Sequence, residues 1–172
     1  MSPLHRGLVW LSRILHSWGF GIQSPTDYAF VRYVVNEHWP YYAYQNIKEK
    51  DWKARKLGRL YLRLANWRQP VCMERDEYEK WWQAGCRTTK IVPKGTLRHI
   101  ELARMDISED WESIVTRCDS DSVVVAENIW QDWQRWHTIT ADERVGTTYD
   151  LYYCGIVWFD KQRYNHHYKI NF

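Results

Sequence analysis

Ser122-Val123-Val124-Val125-Ala126 is a run of β-branched and small apolar residues without polar alternation. That is the pattern of a short strand covered on both faces, as in the middle of an α/β sheet. Asp119-Ser120-Asp121 supplies the turn into it. Before that turn, Trp111, Ile114, Val115 and Cys118 recur at helical spacing behind Ser108, which predicts a helix. Further upstream, His99 to Met105 reads as a strand, Pro93-Lys94-Gly95 as a turn and Thr89-Lys90-Ile91-Val92 as another strand. A short helix is expected after Asp76, with Glu79 three residues on and Gly85 as its stop, preceded by a weak strand at Val71-Cys72-Met73.

Downstream of Ala126, a short helix carries Trp130, Trp133 and His137. Thr147 to Phe159 then forms a β-rich run whose expected break is Gly155, and His167 to Phe172 reads as a final strand. Strands and helices alternate until two terminal strands follow without a helix between them. This order predicts an α/β sheet closed by an antiparallel hairpin.

Residues 1–67 read as helical. Ser24-Pro25-Thr26-Asp27 is a helix start, with Ser24 as cap and Pro25 in the first turn. Behind it Tyr28, Val31, Val34 and Val35 share a helical face, and Pro40 closes the element. A second helix is expected from Asp51, where Leu57, Leu60, Tyr61 and Leu64 form one apolar stripe. A chain of 172 residues fits a single domain with one helical portion (1–67) and one α/β portion (68–172).

The chain has 12 Trp and 12 Tyr against 4 Phe, so large rings with one polar atom must either fill the core or face a partner. The net charge of +3 is too small to imply a nucleic-acid partner. Lys48, Lys50, Lys53, Arg55, Lys56, Arg59, Arg63 and Arg68 do crowd into one stretch. Such a stretch reads first as a solvated helix face, and only in the alternative as an RNA- or phosphate-binding face. Cys72, Cys86, Cys118 and Cys154 are too scattered for a zinc site or a disulfide framework. No apolar run reaches membrane-spanning length. A cytoplasmic protein without a membrane partner is expected.

Two regions carry a family resemblance. Gly19-Phe20-Gly21-Ile22-Gln23-Ser24-Pro25 precedes the first amphipathic helix, and Thr148-Tyr149-Asp150-Leu151-Tyr152-Tyr153-Cys154-Gly155-Ile156 follows the apolar strand and its short helix. Together with Ser122 to Trp130 and the closing Tyr168-Lys169-Ile170-Asn171-Phe172, they resemble a bacterial, O-methyltransferase-like branch of class I S-adenosylmethionine-dependent methyltransferases. The resemblance implies N-terminal helices packed on a Rossmann-like sheet ending in an antiparallel hairpin. It also implies a Gly-rich cofactor loop after the first strand, where missing Cβ atoms let the backbone approach the ligand. Here that place reads Val71-Cys72-Met73-Glu74-Arg75-Asp76, with no glycine before Gly85. Pro70 to Leu102 has room for about one strand, one helix and one more strand, because a βαβ unit takes roughly 30 residues. The expected sheet is therefore shortened in its cofactor half.

By resemblance to the metal-dependent relatives, Asp106, Glu127 and Asn128 stand where three oxygen ligands at adjacent strand ends could hold Mg²⁺. Lys94-Gly95-Thr96 reads as a turn, and the adjacent His166 and His167 would point to opposite faces of a strand. Trp81, Trp82, Trp130, Trp133 and Trp136 are the candidates for an interaction surface, since a shortened sheet leaves faces and edges to be covered. The expected function is that of a degenerate methyltransferase homologue, a pseudoenzyme that binds no S-adenosylmethionine and serves as a binding or assembly module. It would act through a protein partner or self-association. An active O-methyltransferase using S-adenosylmethionine is the alternative.

Overall fold

The computed structural model describes residues 3–161 and 166–172, without the side chain of Trp18. It is a mixed α/β arrangement built around a five-stranded sheet. That sheet contains β3 (Leu102–Asp106), β4 (Val123–Glu127), β5 (Thr147–Asp150), β6 (Cys154–Trp158) and β7 (His167–Lys169), in the order β3-β4-β6-β5-β7. β3 and β4 are parallel, β6 runs antiparallel between β4 and β5, and β7 lies parallel to β5 on the edge. A second, two-stranded parallel sheet joins β1 (Cys72–Glu74) to β2 (Lys90–Val92), with β1 alongside β3.

β4 is buried along its whole length, as its continuous apolar pattern predicts. Successive side chains point to opposite faces, and the two faces meet different layers. Val123 and Val125 enter one core with Leu102, Ile156 and Trp158, beneath the N-terminal helices. Val124 and Ala126 enter a second core with Val157, Ile139 and Trp136. The first layer contains α2 (Pro25–Phe30), a wide π turn (Val31–Val35) and the long α4 (Trp52–Arg68), with α5 (Glu79–Gly85) against α4. The second contains α6 (Glu112–Val115) and α7 (Trp133–Thr140). Among the described residues, the remaining α-helices are α1 (Pro3–Ser12) and the single turn α3 (Ala43–Asn46), with short 3-10 helices at Ile14–Gly19 and Ile129–Gln131.

α2 and α4 start at the capping residues the sequence marks, whereas α5 starts at Glu79 without a side-chain cap. The Ser24 hydroxyl accepts from the Asp27 amide, and the Asp51 carboxylate accepts from the Ala54 amide at 2.7 Å. Leu57, Leu60, Tyr61 and Leu64 of α4 are all fully buried. Leu64→Ala is expected to cost about 2–5 kcal/mol in urea unfolding; a loss below about half a kilocalorie would mean that this stripe packs against nothing rigid.

Several boundaries depart from the sequence reading. The strand after Thr147 breaks at residues 151–153, where Tyr152 adopts a left-handed φ of 72°. Gly155 instead lies inside β6, because a Cβ there would stand 2.2 Å from the Trp136 ring. Ser108 does not open a helix; its amide and hydroxyl bind the Asp106 carboxylate in a tight turn, and α6 starts later. The helical run behind Pro25 gives way to the π turn and ends at Asn36, short of Pro40.

Two buried polar side chains tie the helical portion to the sheet. Arg13 donates to the Asp150 carboxylate at 2.9 Å and to the carbonyls of Asp150 and Ile170 at 2.9 and 3.1 Å. Asp27 accepts from the Tyr149 hydroxyl at 2.8 Å and the Tyr168 hydroxyl at 3.2 Å. Burial, with Asp27 beside it, pushes the Tyr168 phenol up to about 12. Among the described residues, no helix is long and apolar enough to cross a membrane.

Candidate functional site

Parallel strands in an α/β sheet place their carboxyl ends together, and that edge is where such folds set their ligands. Here β1, β3 and β4 deliver Glu74, Asp106 and Glu127 to it, with Asp106 directly opposite Glu127 in the β3–β4 register. α4 lies over this edge and contributes Lys53 and Tyr61.

Glu127 is 2% exposed. Its carboxylate accepts from the Tyr61 hydroxyl and from Arg104, whose Nε lies 2.9 Å and Nη2 3.3 Å away. Arg104 also reaches Glu77 at 2.6 Å. Burial opposes the Arg104 charge, but Glu127 outweighs it, so the guanidinium is held more firmly protonated than usual. Burial and then the Glu127 charge push the Tyr61 phenol well up, which keeps it a hydrogen-bond donor.

Asn128 takes a left-handed φ of 62°, a conformation asparagine tolerates. Its side-chain amide donates to Asp106 and its carbonyl accepts from the Lys53 ammonium. Burial alone would raise the Asp106 carboxyl, yet the Ser108 and Asn128 hydrogen bonds hold it below the ordinary range.

Of the three expected metal ligands, the structure brings Asp106 and Asn128 into contact. Glu127 lies beside them but is committed to Arg104 and Tyr61. Arg104 binds Glu127 and Lys53 binds the Asn128 carbonyl, while Asp106 accepts from Asn128 and Ser108. Among the described residues, no cluster of His, Cys, Asp and Glu is arranged to hold a metal.

The space above β1 is occupied by rings. Trp82 stacks on Tyr61 with centroids 4.5 Å apart, and Tyr78 meets Tyr61 edge-on at 4.7 Å. The Trp82 indole donates to both Asp76 oxygens, at 3.1 and 2.9 Å. On the far side of β1 a groove of about 400 Å³ is crossed by the Arg117–Glu74 and Lys94–Glu109 ion pairs. Rings thus fill one side of β1 and ion pairs cross the groove on the other.

The five candidate tryptophans divide. Trp81, Trp82 and Trp136 are core residues and contribute no surface, which corrects the expectation for those three. Trp81 lies flat against Gly58, where a Cβ would sit 2.3 Å from its ring, and Trp136 covers Gly155 in the same way. Trp133 is 37% exposed and Trp130 half-buried, and both pack on Tyr152.

Sequence reasoning did not find a groove between α4 and residues 35–45. Arg63 is its buried anchor, donating to the Val34 and Val35 carbonyls at 2.6 and 2.8 Å and to the Tyr44 hydroxyl at 3.1 Å. The available signal was the aromatic run Trp39-Pro40-Tyr41-Tyr42-Ala43-Tyr44 lying just before the basic stretch. No family model, no curated protein and no solved structure matches this chain.

Proposed function

We propose that this chain is a methyltransferase-like protein without a cofactor, which works as a binding or assembly module on a shortened Rossmann-like sheet. One observation carries the reading. At the carboxyl ends of β1, β3 and β4, where the family resemblance implies the adenosyl cofactor and its catalytic groups, Tyr61, Tyr78 and Trp82 pack ring on ring above the Glu127–Arg104 pair. Supporting it, β1, α5 and β2 form a single βαβ unit, and the chain continues from β1 through Glu74-Arg75-Asp76 without a glycine. The β5–β6 hairpin supplies an antiparallel pair, although the expected last strand, β7, joins β5 in parallel at the edge instead of pairing antiparallel with the run before it.

A protein of this kind keeps the rigid scaffold while its charged edge neutralises itself, so its partners must bind elsewhere on the surface. Isothermal titration with S-adenosylmethionine and S-adenosylhomocysteine tests the reading. The expected result is no binding tighter than roughly 100 µM, about −5.5 kcal/mol. Tighter binding of either compound would favour a working methyltransferase instead.

A further inference from the structure

The basic residues of α4 do not form a plain solvated face. Arg55, Lys56, Arg59 and Arg63 line a groove of about 540 Å³, walled on the other side by Trp39, Tyr41 and Tyr44. Trp52 continues this groove into two neighbouring hollows of about 320 and 560 Å³, where Arg6, Lys53 and Trp130 join the lining. Cations and ring faces alternate along this track. Arg59 lies 4.8 Å over Tyr44, Lys56 4.1 Å from the Phe172 ring and Arg6 4.5 Å over Trp52.

The positive charge is not cancelled locally. Among the described residues, none of Arg55, Lys56, Arg59 and Arg63 pairs with a carboxylate. Arg63 is 6% exposed, yet its hydrogen-bond partners are two carbonyls and a phenol, all neutral. A buried cation without a counter-charge is costly unless an anion comes to it. Two carboxylates do border the track. Glu37 accepts from Tyr41 at 2.9 Å and Asp51 caps α4. They leave the cations in clear excess.

Spacing and shape narrow the anion. Arg55, Arg59 and Arg63 are each four residues apart, so they rise about 6 Å per step along the helix, the order of the phosphate separation in an extended single strand. Trp39, 73% exposed at the rim, offers an open ring face. A charged groove interleaved with aromatic faces is the arrangement that holds unpaired bases and their backbone. A duplex keeps its bases stacked inside and is too thick to enter these hollows. A membrane surface would reach exposed Arg59 but not buried Arg63, and an acidic peptide has no use for the ring faces.

We propose that this track along α4 binds single-stranded nucleic acid. The proposal deepens the binding-module reading by naming its partner, and the two fail separately, since cofactor titration does not probe this groove.

Fluorescence anisotropy with a labelled short oligouridine and oligoadenine RNA, over a salt series, tests it. Both strands are expected to bind at low salt. Arg55→Gln with Arg59→Gln should weaken binding at least tenfold. It should also flatten the slope of log affinity against log salt by about 1.4, or roughly 0.7 per lost phosphate contact. Trp39→Ala removes an exposed ring and should weaken binding roughly tenfold while leaving that slope unchanged. The proposal is overturned if neither strand binds at low salt, if a blunt duplex of the same length binds equally well, or if these substitutions have no effect. Retention on phosphatidylserine vesicles without oligonucleotide binding would equally overturn it.

Discussion

Trp82→Ala is expected to lower the free energy of unfolding by about 3–5 kcal/mol, the cost of truncating a large buried ring where the surroundings close in only partly. Trp82 is wholly buried, stacked on Tyr61, and its indole is a donor to the Asp76 carboxylate. The substitution therefore opens a cavity and removes a hydrogen bond from a partly desolvated acid.

The second effect gives the prediction a pH signature. Burial already raises the Asp76 carboxyl above its ordinary value, and the Trp82 hydrogen bond partly offsets this. Without the indole the carboxyl should rise further. A folded-state carboxyl that is raised contributes stability below its unfolded value, about 3.9, and loses it as pH climbs through the folded one. The deficit of the variant should accordingly be smaller near pH 4 than at pH 7. Urea unfolding at both values measures this. An equal deficit at the two would assign the whole loss to the cavity.

Glu127→Gln should cost about 3–5 kcal/mol, because it leaves Arg104 desolvated beside a neutral group. Glu77 can take up part of that charge, since it already contacts Arg104 from a more exposed position. The loss should then lie toward the lower end. Replacing both partners, Glu127→Gln with Arg104→Met, should recover most of the stability, as a neutral pair of similar volume needs no counter-charge. A double-mutant cycle reads the coupling directly. If the double variant is no more stable than Glu127→Gln alone, then Tyr61, not Arg104, is the partner that matters.

Much of the scaffold was legible because its signals are local. The unbroken apolar run of β4 announced a strand with two covered faces, and cores on both sides bear this out. The Leu57–Leu64 stripe identified the buried side of α4, and Ser24 and Asp51 marked helix starts through their caps. The misread boundaries have one non-local and one local cause. Gly155 looked like a break, but it accommodates the ring of Trp136, which arrives from α7 earlier in the chain. Ser108 looked like a helix cap, and the Asp106 carboxylate claimed it first.

The candidate site was legible only in outline. Asp106, Glu127 and Asn128 do gather at one sheet edge, as strand ends must, but nothing in their spacing showed that Arg104 and Lys53 would reach into them. Arg104 comes from the middle of β3 and Lys53 from a helix some fifty residues before it. The burial of Trp81 was likewise hidden. It depends on an absent side chain at Gly58, in the interior of a helix where glycine is otherwise unfavourable.

Those two glycine–tryptophan contacts have a consequence for how this sequence can change. At Gly58 with Trp81, and at Gly155 with Trp136, the smallest residue and the largest divide a single volume between them. Enlarging the glycine alone drives a methyl group into a ring, while shrinking the tryptophan alone leaves a hole. Each single step is downhill in stability, although a paired exchange of volume could be nearly neutral. The chain is thus locked by coupled positions, so its descendants are expected to keep both members of a pair or to replace both together.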